Sequence, residues 1–552
     1  MRLAQWPVMT QLECLHNTKQ WQDAFPGNVR QHDAAHIFIN NRRLMQPPIF
    51  PNLSYPGLTS NDHSYLAHFT NHVVHILPTS TETIMSVLNG SYLARYAAMA
   101  ISAANLANLR GTFVYDSPLQ SGYSWIPDSG HRFRSLAYAG KALEIATDCR
   151  STDISTLLAA HLMLTFVELE LGSFEGLRYY ISTVDGLVYN THSQLLREKH
   201  GPEILCGLFD ARSVQKFVAG PIGPPSTREL MMNQFWQTLE VRMPIKPDVA
   251  QSLGCGMAII LERLCLLTTM QHHLTIPSRM QYIVMKQLSD YLNTLYPTNR
   301  NEQISKHQLV SAYQECLGDM AGIREQVLSL PTPPGVPLLS DEGSQYTLVT
   351  DLEKIESTSV EENEPLRFDS HRESMIAADY AWCRILCDES IVLGITNPSG
   401  GPLSPISPNA SHWMDVLVRI TRGIDISECS TKNIYRRGIC GMLLHSAIRC
   451  GNTNTINVLE DILDRLISNG SAWEDCMFSN TPSVSTVRAV QRQLEQGRSI
   501  LMVSSLDENV NPRTTIMSNR MVRTLILHGW EADGRTFDET LHLDDFATAL
   551  GT

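Results

Sequence analysis

Three histidines, His68, His72 and His75, stand four and three residues apart. On a helix that spacing puts them on one face, where imidazoles can in principle ligate zinc. At about 100° per residue the same face points away from Leu66, Phe69, Val73 and Leu77, the apolar stripe of the segment. Histidines on the outer side of an amphipathic helix are ordinarily solvated, so the expectation is a solvent-facing row rather than a metal centre. His32 and His36 repeat the four-residue spacing in a stretch without helical periodicity.

The remaining reactive residue types form no recognised constellation. Among the twelve cysteines the closest pair is Cys383 and Cys387, a C-x3-C spacing, while Cys429, Cys440, Cys450 and Cys476 are spread too widely for one compact cluster. No C-x2-C occurs, so these side chains are expected to be small buried apolar groups in a reducing compartment. Ser213 and Lys216 make a Ser-x-x-Lys, but no Lys-Thr-Gly accompanies it and nothing identifies an activating base or an oxyanion site. A magnesium-dependent all-α enzyme, for instance a terpene-processing one, needs clustered carboxylates. The pairs present are Asp461 with Asp464, on an exposed helical face, and Asp544 with Asp545, near the C-terminus. Neither reads as a metal pair facing a pocket. Phosphate loop, dinucleotide fingerprint, HExxH and nucleophile elbow are all missing from the sequence. No catalytic, cofactor-binding or metal-binding residue is therefore assigned, no cofactor is expected, and the chain is read as a non-enzyme.

Charge argues against direct nucleic-acid binding. The 552 residues carry 43 basic and 56 acidic side chains, a net charge of −13, and the cationic pairs Arg42-Arg43 and Arg436-Arg437 make no stripe. Both pairs are read as ordinary surface. The longest apolar stretch, Ile154 to Val167, is too short to span a bilayer, and no signal-peptide core opens the chain, so a soluble intracellular protein is expected.

The elements that must position any site are helical. Residues 1–62 show no sustained periodicity and read as a loosely ordered lead-in. A helical block is expected over 63–330. It opens with HSYLAHFTNHVVHIL, stopped by Pro78, and continues with TIMSVLNGSYLARYAAMAISAANLANLRG, read with Leu93, Tyr96, Ala100, Ala103 and Leu106 on one face. A Gly/Ser/Pro-rich loop is expected from Asp116 to Gly130, then FRSLAYAGKALEIATD as a helix. Asp153 is expected to cap STLLAAHLMLTFVELEL, and Ser173 its partner FEGLRYYISTVDGLVY. Further helices are expected near 251–273, 279–296, 303–328, 371–394, 411–425, 433–450, 455–468 and 483–498. The clearest is 455–468, with Ile456, Leu459, Ile462, Leu463 and Leu466 inward. Residues 331–366, with five prolines and eight acidic residues against one lysine, read as an acidic linker or loop. A second helical part is expected over 367–500, and an acidic–hydrophobic tail over 501–552. In that tail Trp530 to Phe546 carries six acidic residues against one basic, interleaved with apolar ones, the composition of an activation segment or of a docked amphipathic helix. The fold class is all-α, an array of antiparallel helical pairs.

The block over 63–190 resembles the fungal-specific transcription factor domain, the regulatory region found downstream of six-cysteine zinc clusters. The resembling segments come in order: YLAHFTNHVVHILP, LARYAAMAISAANLANL, FRSLAYAGKALEIA, then LLAAHLMLTFVELELGSFEGLRYYISTVDGLV. Later, GICGMLLHSAIRCGNTNTINVLEDILDRLISNG is similar to the family's closing pair of helices. Together these cover about half the chain, as diffuse patterns rather than invariant motifs. The resemblance implies an all-α, ligand- or partner-responsive module of a nuclear regulator, with other transcription factors or coactivators as partners and homo- or heterodimer formation. One departure stands out: residues 1–62 hold only Cys14, not a six-cysteine cluster. The expectation is a pathway-specific regulator, for example of a specialised-metabolite gene cluster, that reaches DNA through a partner. The alternatives are an all-α enzyme of specialised metabolism and a helical adaptor outside transcription.

Overall fold

The computed structural model describes most of residues 59–219, 364–391, 407–469, 480–506 and 524–542, with residues 311–319 and scattered positions such as Trp236, Leu261 and Glu474. His32, His36, Arg42, Arg43, Cys476, Asp544, Asp545, the expected helix 279–296 and most of the acidic stretch 331–366 lie outside the described residues. The fold is all-α, with two small antiparallel sheets.

Helix α1 (Ser60–His68) begins at a capping box, in which Thr59 and Asp62 satisfy each other's backbone N–H groups. It runs into a π-helical turn (Phe69–Val73) and then α2 (Val74–Ile76). The widened turn keeps Phe69 and Val73 both fully buried. The next expected helix is two. Asn89 and Gly90 are poor helix formers, and Ser91, in extended backbone, ends α3 (Thr81–Gly90) and caps α4 (Tyr92–Leu109). Helix α4 is buried on nearly every side, not one face, because its alanines let α5 (Ser129–Asp148) and α6 (Ile154–Glu170) both pack closely against it.

The expected loop after Asp116 is a hairpin, with β1 (Thr112–Ser117) antiparallel to β2 (Gln120–Ile126). The run Thr-Phe-Val-Tyr is a β-branched and aromatic strand signal overlooked among the glycines and serines. Asp153 caps α6 through a 2.9 Å bond to the Thr156 N–H, as expected. Helix α6 packs on α7 (Phe174–Leu195) and α8 (Gly201–Ala219). A Cβ at Gly207 would stand 2.9 Å from Leu162 Cδ2 and 3.2 Å from Pro78 O, so the glycine lets α8 lie close against α6. Phe69, Met99, Leu162, Phe166, Phe209 and Trp236 lie in this first core.

The second core gathers α9 (His371–Leu386), α10 (Pro408–Gly423), α11 (Ile426–Lys432), α12 (Ile439–Cys450), α13 (Thr453–Ser468) and α14 (Asn480–Glu495). Met257, Leu261, Leu264, Tyr313 and Cys316, from before the acidic stretch, also pack there. The inward face expected for α13 is the one observed: Ile456, Leu459, Ile462, Leu463 and Leu466 are all buried. The end of the acidic stretch is docked on α10. The Leu366 N–H donates to Arg419 O at 3.0 Å, and Arg419 Nε donates to Glu364 O at 2.8 Å.

A three-stranded sheet follows: β3 (Ser499–Leu506), β4 (Thr524–Trp530) and β5 (Thr536–His542), in that order and antiparallel. The segment beginning at Trp530 is therefore not helical as far as His542. Phe537 and Leu541 stand on one face of β5, alternating with Asp538, Thr540 and His542, and pack on Leu525, Leu527 and Ala489 of α14. Arg498 ties the sheet together, bonded to Glu531 and Glu539, with its guanidinium 4.8 Å from the Phe537 ring centroid.

Candidate functional site

The expected helix 433–450 begins only at Ile439. The six residues before it, 433–438, form a non-helical strap, and the polar groups buried in both cores converge on it. Two of these groups are glutamates, and each sits in the same arrangement.

In the first core Glu170 ends α6 with its side chain buried. Its Oε1 accepts from Asn105 Nδ2 at 2.9 Å and from the Tyr435 hydroxyl at 2.8 Å, and Asn108 Nδ2 donates to Oε2. Asn105 thus presents its Oδ1 outward, where His68 Nε2 lies 2.9 Å away and must donate. Burial pushes the Glu170 carboxyl up, opposed by its three hydrogen bonds, with no cation against it. Burial pushes His68 down to about 4, with His72 and Arg110 adding repulsion.

In the second core Glu474 is fully buried. It accepts from the Ile439 N–H at 2.5 Å, the Cys440 N–H at 2.8 Å and Asn433 Nδ2 at 3.0 Å. Asn433 Oδ1 accepts from His371 Nε2 at 2.7 Å. Helix α12 has Gly438 at its N-cap, with no side chain to offer, and the Glu474 carboxylate serves as cap from elsewhere in the chain. Burial pushes this carboxyl up as well, against the bonds that favour its charged form. The protein therefore holds two His–Asn–Glu relays, one per core, and the strap supplies Tyr435 to one and Asn433 to the other.

The strap also carries the cations. Arg437, 5% exposed, grips Asp379 through Nε and Nη2 at 3.2 and 3.1 Å. Its Nη1 donates to Ser213 Oγ at 2.6 Å, and Ser213 in turn donates to Asp210 O. Arg436 is half-buried, and the acids that act on its charge are Asp210 and then Asp379. Burial raises the Asp210 carboxyl, and Arg436 and Arg437 counter it. The reading of Arg436-Arg437 as ordinary surface is thus overturned. Two adjacent arginines in a polar turn look solvated because their acids lie more than fifty residues away.

The other sequence candidates separate. His72 and His75 are exposed, but His68 is half-buried and turned toward Asn105, because the π-helical turn begins directly after it. That corrects the solvent-facing row for one of its three members. Ser213 is buried and committed to Arg437. Cys383, Cys387, Cys429, Cys440 and Cys450 are buried thiols outside any disulfide, and burial holds the Cys383 thiol well above its ordinary range. Asp461 and Asp464 lie on the exposed face of α13, with Asp461 3.9 Å from Arg465. Among the described residues no group of three or more His, Cys, Asp or Glu side chains is placed to hold a metal ion, and none of the helices is long and apolar enough to cross a membrane.

Sequence reasoning missed Glu170, Asn105, Asn108 and Glu474. The available signal was polarity out of place: two asparagines three apart in an alanine-rich helix, and a glutamate ending one apolar on every face. No family model, no curated protein and no solved structure matches this chain.

Proposed function

We propose that the chain is a pathway-specific regulator of transcription, acting in the nucleus through protein–protein contacts of a helical regulatory domain and reaching DNA through a partner. The observation that carries the reading is the strap. A responsive module needs an element whose state both parts of the molecule feel. Residues 433–437 place buried hydrogen bonds in both cores at once, so a shift in either changes the other's polar balance. Buried ion pairs of this sort are poor sources of stability but good ones of a specific, switchable arrangement. The resemblance of the sequence segments within 63–190 and 438–470 to the fungal-specific regulatory domain supports the same reading.

The test compares transcripts of a strain lacking this gene with its parent, under conditions where the gene is expressed. A discrete gene set that changes together and recovers on complementation is the expected result. Unchanged transcripts with one metabolite gained or lost would remove the reading in favour of an enzyme or an adaptor.

A further inference from the structure

Helix α12 carries a buried cation that is only partly satisfied. Arg449 is 8% exposed, and its Nε and Nη1 are buried without a hydrogen-bond partner. Among the described residues no carboxylate pairs with it. The groups that act on its charge are the Tyr313 hydroxyl and the Cys450 thiol, and burial is the dominant influence, disfavouring the charged form. One turn earlier, His445 Nδ1 is also buried without a partner, as is Ser446 Oγ beside it. The His445 ring lies 5.7 Å from that of Trp382 on α9 and meets it edge-on. Three unmet polar groups therefore stand on consecutive turns of one helix, within the second core.

The other strongly buried arginines among the described residues are met by carbonyls or acids: Arg95 donates to Leu88 O and Asn89 O. Arg437 has Asp379, and Arg212 has Asp185 with Trp236 stacked at 5.0 Å. A buried guanidinium is retained where a negative group meets it, since an uncompensated one weakens the fold. His445 does not help: burial, and after it the Arg449 charge, drives it down to about 3, so the imidazole is neutral and leaves one ring nitrogen to donate. A fixed cation with further donors on the same helix, with the Trp382 ring against His445 and the Tyr313 hydroxyl acting on Arg449, matches a small carboxylate with an apolar body.

We propose that Arg449, with His445 and Ser446, anchors a binding site for a small organic carboxylate between α12, α9 and residues 311–319. The orphaned atoms are closed from solvent in this structure, so the ligand enters through a minor open state and its affinity is reduced by that state's population. The site goes beyond the transcriptional reading and stands or falls without it.

Thermal melting of the purified full-length chain tests the site, using acetate, hexanoate and benzoate, each paired with its neutral amide at matched ionic strength. At least one carboxylate is expected to raise the melting temperature by about 2–4 °C at saturation, its amide leaving it unchanged. Arg449→Met is expected to melt at or above the parent without ligand, because it removes an unpaired buried charge, and to lose the carboxylate response. Arg449→Lys keeps a cation and carries the same comparison should Arg449→Met fail to fold, with a weaker response expected. The proposal is overturned if no carboxylate outperforms its amide, or if the response survives in Arg449→Met. None of these results bears on transcripts, so the two readings fail separately.

Discussion

Asn433 and Tyr435 are two residues apart, and each bonds a different buried glutamate: Asn433 reaches Glu474 at 3.0 Å in the second core, and Tyr435 reaches Glu170 at 2.8 Å in the first. A short strap thus completes two polar networks whose other members come from distant parts of the chain. The predictions below start from that junction.

Tyr435→Phe removes a single hydroxyl and leaves the rest of the ring packed near Phe166, centroid to centroid 4.9 Å. One lone pair of Glu170 goes unmet, at a cost of about 1–3 kcal/mol. Denaturant unfolding would measure it. A variant as stable as the parent would mean that the hydroxyl bond contributes nothing.

Asn433→Ala should cost more than Tyr435→Phe, because it strands two partners, His371 Nε2 and Glu474. Both variants are read by the same unfolding experiment, and the order of their effects is the prediction. The reverse order would break the parallel drawn between the two relays.

Arg437→Lys keeps the charge but cannot hold both oxygens of Asp379 and the Ser213 hydroxyl together. Arg437→Met leaves Asp379 without its cation and should destabilise by about 3–5 kcal/mol. Lysine is expected to recover part of this loss. A methionine variant that melts with the parent would return Arg437 to the surface role its sequence context suggested.

His68 makes stability depend on pH with a definite sign. Its folded pKa, about 4, lies below the ordinary 6.5, so the unfolded chain takes up the proton first on acidification. The contribution is complete above pH 6.5 and drains away as pH falls toward 4, by at most about 3 kcal/mol. Glu170 and Glu474 act oppositely: their raised folded pKa gives a contribution present below the ordinary 4.5 and lost as pH rises. His68→Gln, which keeps a donor for Asn105, should flatten the slope between pH 6.5 and 4 relative to the parent. Identical slopes in melting against pH would show that His68 is solvated after all.

Leu459→Asp puts a charge at a position with no solvent exposure and should unfold the second core. Melting indistinguishable from the parent would show that the inward face of α13 is misassigned.

The amphipathic and capped elements were legible because their signals are local. Leu459 and its neighbours repeat at the helical period, and Asp153 precedes an apolar run as a cap should. The strap was not, because each of its partners is remote. Glu474 caps α12 from 35 residues beyond Ile439, and a glycine cap with no visible substitute gives no hint of it. The C-terminal sheet was hidden by composition: acidic residues among apolar ones suggested a partner-bound segment, while Phe537 and Leu541, on one face and alternating with Asp538, Thr540 and His542, carried the strand signal. Arg449 was invisible in principle, since a lone arginine near a helix end is the commonest of surface features, and only three-dimensional packing shows that two of its nitrogens are buried without a partner.

The strap also sets a timetable for synthesis. Glu170 leaves the ribosome 265 residues before Tyr435 arrives to bond it. At about 5–20 residues per second, that is a wait of roughly 15–50 s. For that interval the Glu170 carboxyl has only its Asn105 and Asn108 donors, and Phe166 lacks the ring that packs on it in the finished protein. A chaperone that shields this unfinished surface, or a slowing of translation that lengthens the wait, therefore acts on one identifiable spot: the place that Tyr435 will close.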